Sequence, residues 1–205
     1  MISRRRLLPA AIALFIGGAA SVPPALAAAD PAAMITDMGN RALEVLAKPA
    51  TARQREARFR ELFHQEFDVP TIARFVLGRY WRLATPEQQR EFVSLFAEYT
   101  TLSYSNRLSQ YRGETLKVTA SRSEPDGWLV TSFIVHTNGT APSRVDWRLT
   151  WTDGTYKITD VIVEGISMAV TQRSEFASVI RRHGGQVQGL LTLLRQKTEA
   201  SAARP

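Results

Sequence analysis

Apolar residues follow two different periods along the chain, and the change between them falls near Gly113. Before that glycine, and again after Ser167, apolar positions recur every three to four residues, which is typical of amphipathic helices. Between Leu116 and Val163 apolar and polar residues alternate, as they do in strands with one buried face. Helices followed by strands and then by further helices predict an α+β domain.

Residues suited to cap helix N-termini stand before each of the first four predicted helices: Asp30, Thr51, Asp68 and Thr85. Thr51 and Thr85 each have a glutamine three residues later, which is the spacing of a capping box. The fourth helix is the longest and extends to about Tyr111. It carries a broad aromatic stripe that another part of the protein has to cover. The stripe includes Phe92, Leu95, Phe96, Tyr99 and Leu102.

Four segments alternate as strands do: 116–119, 128–137, 144–152 and 156–163. Asn138-Gly139 and Asp153-Gly154 favour hairpin turns, so the last three strands are predicted to form an antiparallel meander. Two further helices follow, the first of which ends at Gly184-Gly185. We therefore expect one domain over residues 28–198, with a frayed tail at 199–205. Its fold class is α+β, a curved, mainly antiparallel four-stranded sheet with about six helices packed on one face.

The first 27 residues have the pattern of an export signal. Arg4-Arg5-Arg6 precede an apolar run from Leu7 to Ala20 and a small-x-small site at Ala25-Leu26-Ala27. The run is shorter than the roughly 20 residues that a transmembrane helix needs. We expect a cleaved signal peptide at 1–27 and a periplasmic protein, exported by the general or the twin-arginine route. An uncleaved membrane anchor is the alternative.

Setting this segment aside changes the charge balance. The 205-residue chain has 26 Lys+Arg against 19 Asp+Glu, a formal charge of +7 that suggests a nucleic-acid partner. Cleavage removes three arginines and no acids, which leaves +4. The arginines of the second helix also alternate with glutamates, as on a solvated helix face, so no nucleic-acid partner is expected. The chain has no cysteine, which excludes disulfides, cysteine nucleophiles and lipoprotein anchoring.

No residue pattern points to catalysis or to metal binding. Ser167 follows Gly165, but Ala169 replaces the second glycine of a nucleophile elbow, so Ser167 is better explained as a helix N-cap. Asp160 and Glu164 are a carboxylate pair of the kind used in acid-base catalysis, although ion pairing explains Glu164 more simply. The three histidines lie on separate predicted elements, without a second metal ligand at a suitable spacing: His64, His136 and His183. A small hydrolase acting through Ser167 remains an alternative.

Two signatures stand in a characteristic order: LG-x-x-W-x-x-ATPEQ from Leu77 to Gln88, and VEGISM-x-x-x-QR-x-EF from Val163 to Phe176. Further matching positions are Phe67-Asp68, Phe92, Phe96, Tyr104, Tyr111, Val145-Asp146-Trp147 and Asp160-Val161. Over residues 35–196 the chain resembles the MlaC/Ttg2D family of periplasmic lipid-shuttle proteins, known also for toluene tolerance. A hopanoid-associated, HpnM-like branch looks similar. Tyr156 and Gln172 depart from the family pattern, which often has Trp and Tyr at these positions.

The resemblance implies a monomeric carrier that is not an enzyme and has no cofactor, with a bound lipid as its cargo. In this family a glycerophospholipid passes between an inner-membrane ABC transporter with an MCE-domain subunit and an outer-membrane lipoprotein-porin complex. This transport maintains outer-membrane lipid asymmetry. The alternatives are a carrier of hopanoid or another apolar lipid, and an exported scaffold whose core is filled.

A carrier of this kind needs an apolar cavity between the aromatic helix face and the sheet. The candidate lining residues are Val76, Phe92, Phe96, Tyr99, Val145, Trp147, Leu149, Ile162, Ile166 and Met168. A core residue and a pocket residue have the same sequence signature, so each of these positions is equally compatible with a filled core. Burying an unpaired phosphate is costly, so the head group is expected to protrude. Arg79 and Arg148 are the candidate residues near it.

Overall fold

The computed structural model describes residues 30–48, 50–108 and 111–202. The predicted signal peptide, 1–27, lies outside them. The helices are α1 (Pro31–Ala47), α2 (Ala52–Glu66), α3 (Val69–Leu77), α4 (Pro86–Leu108), α5 (Met168–Arg182) and α6 (Val187–Ala202), with a 3₁₀ helix (Gly78–Arg82) after α3. The strands are β1 (Thr115–Glu124), β2 (Gly127–Val135), β3 (Ser143–Thr152), β4 (Thr155–Val163) and β5 (Ile166–Ser167).

The four predicted N-caps are confirmed. Asp30 Oδ1 accepts a hydrogen bond from the amide two residues later at 2.9 Å, and Asp68 Oδ1 accepts one from the amide three residues later at 3.0 Å. Thr51 and Thr85 each exchange two hydrogen bonds with the glutamine three residues on, so both capping boxes form. These contacts satisfy amides that have no partner within their own helix, and they fix where each helix begins.

The strands form one antiparallel sheet in the order β1-β2-β3-β4-β5. Asp153 and Gly154 have φ angles of 50° and 80° and form the tight turn between β3 and β4, as predicted. The pairing of β3 with β4 contains a bulge, because Arg148 pairs with Asp160 while Leu149 pairs with Ile158. Thr159 is therefore the extra residue of β4.

The helices cover one face of this sheet and form two apolar clusters. The larger cluster joins α3, α4, α5 and α6 around fully buried residues such as Phe92, Ile180 and Leu191. The smaller cluster joins α1 to the sheet through Ile35, Val130, Leu149 and others. Phe67, at the end of α2, packs against both clusters. The two clusters therefore meet at Phe67 but remain separate, and a space is left between them beside this ring.

The structure confirms the α+β class and the antiparallel meander and differs from the prediction in several details. Strand β2 ends at Val135, so Asn138-Gly139 lies in a connection of seven residues before β3, and α4 ends at Leu108. A fifth strand, β5, pairs with the end of β4. It has only two residues, and a strand of that length shows no alternating pattern in the sequence. Strand β1 continues to Glu124 instead of ending at Thr119; its second half is polar and exposed, so the alternation is lost there. Helix α6 continues to Ala202 and buries Thr198, so residues 199–202 are helical where a frayed tail was expected.

Candidate functional site

A cavity of about 540 Å³ lies between α2, α3, α4 and α5 on one side and strands β3 and β4 on the other. Its lining is mainly apolar and aromatic: Phe59, Phe63, Phe67, Ile72, Val76, Phe96, Thr100, Tyr104, Trp147, Thr159, Asp160, Val161, Val163, Glu164, Ile166, Met168, Ala169 and Gln172. The exposed part of the lining is at the β4–β5 turn, where Glu164 is exposed and Ile166 has 59% of its surface in contact with solvent. The cavity has the size and apolar character of sites that bind small molecules.

Three phenylalanines at a spacing of four form the α2 wall. The rings of Phe59 and Phe63 are nearly parallel with centroids 6.1 Å apart, and those of Phe63 and Phe67 are 4.9 Å apart. Because these rings pack along the wall, they stabilise one another and do not extend across the space. The cavity is therefore bounded on this side by an aromatic surface.

Polar contacts on the outer side of α2 hold this wall in place. Arg60 pairs with Glu98 of α4 and, at 2.7 Å, with Glu56 of its own helix. The hydrogen bond to Glu98 is the main reason that the pKa of Arg60 is raised. Lys157 Nζ donates to the Gln65 carbonyl and so joins the end of α2 to β4. The wall is thus fastened both to α4 and to the sheet.

Two carboxylates lie at the edge of the cavity, and both bind groups of the protein itself. Asp160 accepts hydrogen bonds from Ser167 Oγ at 2.6 Å and from the Ala169 amide at 3.1 Å, which attaches the start of α5 to β4. Glu164 Oε1 accepts one from the Arg144 amide at 2.6 Å. Among the described residues that line the cavity there is no lysine, arginine or histidine. The site therefore offers apolar contact and no cation for a phosphate within it.

Five of the ten residues predicted to line a cavity lie on its wall: Val76, Phe96, Trp147, Ile166 and Met168. The other five lie elsewhere. Phe92, Val145 and Leu149 are buried in the protein core, with at most 2% of their surface exposed. Tyr99 lies on the side of α4 that faces α5 and α6, where the centre of its ring is 6.2 Å from that of Phe176. Ile162 lies between Val161 and Val163 on β4, and those two neighbours line the cavity in its place.

Phe63 and Phe67 line the cavity although they were not predicted to do so, and the same holds for Thr100 and Tyr104. On α4 the cavity-facing positions are Phe96, Thr100 and Tyr104, which follow each other at intervals of four. The predicted aromatic stripe instead combined this face with the buried face that contains Phe92. A spacing of four links the wall positions on α2 and on α4, but Phe92 continues the α4 series and lies in the core, so the spacing alone does not separate wall from core.

Neither candidate head-group arginine lies on the cavity wall. Arg79 donates a hydrogen bond to the Tyr80 hydroxyl at 2.9 Å, and its guanidinium lies 4.9 Å from the centre of that ring. Arg148 pairs with Glu124 at 3.2 Å and lies 3.6 Å from Asp160. Arg148 is thus next to the cavity only through its contact with Asp160, whereas Arg79 contacts Tyr80 within the 3₁₀ helix.

Ser167 and Asp160, which were considered as catalytic residues, bind each other and the start of α5. Ser167 caps α5 by accepting a hydrogen bond from the Val170 amide at 3.0 Å, as predicted. Its hydroxyl donates to Asp160, and within the described chain its hydrogen bonds involve no histidine. Residues 30–48, 50–108 and 111–202 contain no cluster of three metal-ligating side chains. They also contain no helix with the length and apolar character needed to cross a bilayer.

A mainly apolar and aromatic cavity within an α+β fold is typical of a protein that binds an apolar or amphipathic small molecule. Comparison with known proteins identifies the family. The family model described as MlaC protein matches residues 36–196. The chain belongs to the MlaC family, which confirms the resemblance found in the sequence.

Individual relatives agree with this assignment. The chain is 25% identical over 134 residues to the intermembrane phospholipid transport system binding protein MlaC of Haemophilus influenzae, covering 63% of this chain and 60% of the relative. It is 28% identical over 109 residues to the toluene tolerance protein ttg2D of Pseudomonas putida, covering 53% and 51%. The matches thus span between half and two thirds of these relatives' length.

A solved structure is similar over most of the fold. The phospholipid-binding protein from Ralstonia solanacearum, determined in complex with a phospholipid, superposes with a TM-score of 0.73 at 25% identity. The match covers 85% of this chain and 99% of the Ralstonia chain. Nearly the whole of that protein therefore has its counterpart here.

Proposed function

We propose that this protein is a periplasmic lipid carrier that holds the acyl chains of a phospholipid in the cavity between α2, α4 and β4. The observation that carries the proposal is the aromatic cavity of about 540 Å³ itself. Its volume is several times the roughly 150 Å³ of an apolar cavity that binds benzene. The names of the Haemophilus and Ralstonia relatives support a phospholipid as the cargo.

The energetic reason for a carrier is the cost of exposing acyl chains to water. Each methylene transferred out of a bilayer costs about 0.8 kcal/mol, so two long chains cost roughly 20 kcal/mol or more. The α2 phenylalanines and Val161 replace the contacts that the chains lose on leaving a membrane. The protein thereby makes transfer through water possible without catalysing a reaction.

The head group stays in water at the opening, beside Glu164 and Ile166. A phosphate within the cavity would be buried without a cationic partner from the lining, and that burial is strongly unfavourable. Of the two candidate arginines, Arg148 lies 3.6 Å from the lining residue Asp160. The carrier therefore recognises mainly the chains and accepts more than one head group.

The proposed route of the lipid runs between the inner and the outer membrane. The donor and acceptor we propose are an MCE-domain ABC transporter and a lipoprotein-porin complex, and the transport maintains outer-membrane lipid asymmetry. The export pattern of residues 1–27 supports the periplasm as the location. The name of the Haemophilus relative, an intermembrane transport system binding protein, supports the route.

Native mass spectrometry of the exported protein, purified without detergent, tests the proposal. We expect a mass increment of one phospholipid on most molecules. Thr100 faces the cavity from α4, so Thr100→Trp places an indole where the chains lie and should release most of the lipid. Thr192→Trp makes the same change on the exposed side of α6 and should keep it.

A wild-type protein without lipid would contradict the proposal, and so would equal loading of the two tryptophan variants. A bound mass that matches a hopanoid would contradict phospholipid as the cargo but would still support a lipid carrier. Circular dichroism checks that both variants fold. If Thr100→Trp does not fold, Val161→Phe fills the same cavity from β4 with a smaller side chain.

A further inference from the structure

The net positive charge of the chain after residue 27 is concentrated in two segments. Segments 69–85 and 165–183 together contain six arginines and one glutamate. The remaining residues from position 28 onward contain 17 Lys+Arg and 18 Asp+Glu. The two segments form α3, the 3₁₀ helix and α5, and these elements pack against one another. The excess positive charge is therefore carried by one part of the molecule.

A surface groove of about 370 Å³ lies between α3 and α5 on this part. It is lined by Phe75, Val170, Arg173, Ser174, Ala177 and Arg181. Phe75 is 42% exposed and Val170 is 52% exposed, so two large apolar side chains are in contact with water. The Arg173 guanidinium lies 5.2 Å from the centre of the Phe75 ring.

The arginines of this groove are not neutralised by the protein. Within the part of the chain that the structure describes, neither Arg173 nor Arg181 has a carboxylate within ion-pair distance. Arg60 of α2 and Arg144 and Arg148 of β3 differ in this respect, since each of them is paired with a carboxylate. The groove thus combines exposed apolar surface with positive charge that is available to an external anion.

This outer face shares its helices with the cavity wall. Ile72 and Val76 of α3 and Gln172 of α5 face the cavity, whereas Phe75 and Val170 face outward. Exposed apolar residues and unpaired arginines side by side are typical of surfaces that bind anionic membranes, where the arginines contact phosphates and the apolar groups enter the interface. A folded protein partner would need matched carboxylates and a complementary shape, whereas a bilayer needs neither.

We propose that the outer face of α3 and α5 is a docking surface for a bilayer with anionic phospholipid head groups. Arg173 and Arg181 contact head-group phosphates, while Phe75 and Val170 enter the interfacial region. Docking brings the carrier to a membrane with the α3–α5 wall of its cavity against the lipid surface. This inference does not depend on what the cavity holds, because the groove lies on the opposite side of the two helices.

Flotation with lipid vesicles tests it. The exported protein is used, and its mass is checked so that the apolar run Leu7–Ala20 is known to be absent. We expect binding to vesicles of phosphatidylglycerol and phosphatidylethanolamine that weakens as salt is raised, and little binding to phosphatidylcholine alone. Arg173→Gln with Arg181→Gln should weaken binding about 30-fold, since each arginine near an anionic surface contributes roughly a factor of five.

Arg53→Gln with Arg58→Gln is the matched control, because it removes the same charge from the exposed side of α2 and should have little effect. Arg173 packs on Phe75, so Arg181→Gln with Arg182→Gln provides a second variant in the exposed last turn of α5. The proposal is overturned if wild type fails to bind the anionic vesicles, if neutral vesicles bind equally, or if the groove and control variants are weakened alike. Lipid loading measured in parallel separates this outcome from a failure of the carrier function.

Discussion

Phe92 and Phe59 provide the sharpest comparison between core and cavity wall. Phe92 is fully buried and contacts the Phe96 and Phe176 rings with centroids 6.0 and 5.8 Å away. Phe92→Ala should therefore leave a new void and cost about 4 kcal/mol, in the usual range for a buried phenylalanine. Phe59 is half-buried and already borders the cavity, so Phe59→Ala removes fewer contacts and should cost about 1 kcal/mol.

Urea denaturation measures the difference. With a slope of about 2 kcal/mol per molar urea, Phe92→Ala should lower the midpoint by about 2 M and Phe59→Ala by about 0.5 M. Lipid must be removed first, because a ligand that binds only the folded state raises the apparent stability. Lipid loading should respond in the opposite order and fall only for Phe59→Ala. Equal losses of stability in the two variants would refute the assignment of Phe92 to the core and Phe59 to the wall.

Two further predictions concern the scaffold. Gly127→Ala should lower the melting temperature markedly, because the new Cβ would lie 2.0 Å from the Leu149 carbonyl oxygen. Gly139→Ala is the control, since its Cβ would have no neighbour within 4 Å and only the positive φ opposes it. Equal falls in melting temperature in the two variants would contradict the predicted clash. The pKa of Glu87 is lowered, chiefly by its own backbone amide and then by Thr85, so the stability it contributes is present above its unfolded pKa and is lost as pH falls through the lower folded value. An NMR titration should find the lowered pKa, Glu87→Gln should reduce the acid sensitivity of unfolding, and an ordinary pKa would contradict this.

Local signals in the sequence were sufficient for most of the fold. Capping residues such as Thr51 and Thr85 specify helix starts through contacts three residues away, and Asp153-Gly154 specifies a hairpin through its own backbone angles. These interactions need no information from distant parts of the chain. Strand β5 was missed because two residues carry no period, and its pairing depends on the turn at Glu164.

The cavity wall was harder to predict, because a buried apolar side chain has the same sequence signature in a core and in a pocket. Phe92 and Phe96 lie one helical turn apart, yet only Phe96 reaches the cavity. On β4, Thr159, Asp160 and Val161 all line it although they are consecutive. The bulge at Thr159 interrupts the alternation of faces there, and no sequence period predicts a bulge.

The proposed function places the acyl chains of the lipid against the α2 wall. Photo-crosslinking tests it most directly, with p-benzoyl-phenylalanine in place of Phe59 and, as a control, in place of the exposed Thr192. Irradiation of the exported, lipid-carrying protein should add the mass of a phospholipid at position 59 and not at position 192. A protein that carries lipid but forms no adduct at position 59, or forms equal adducts at both positions, would contradict this placement of the chains.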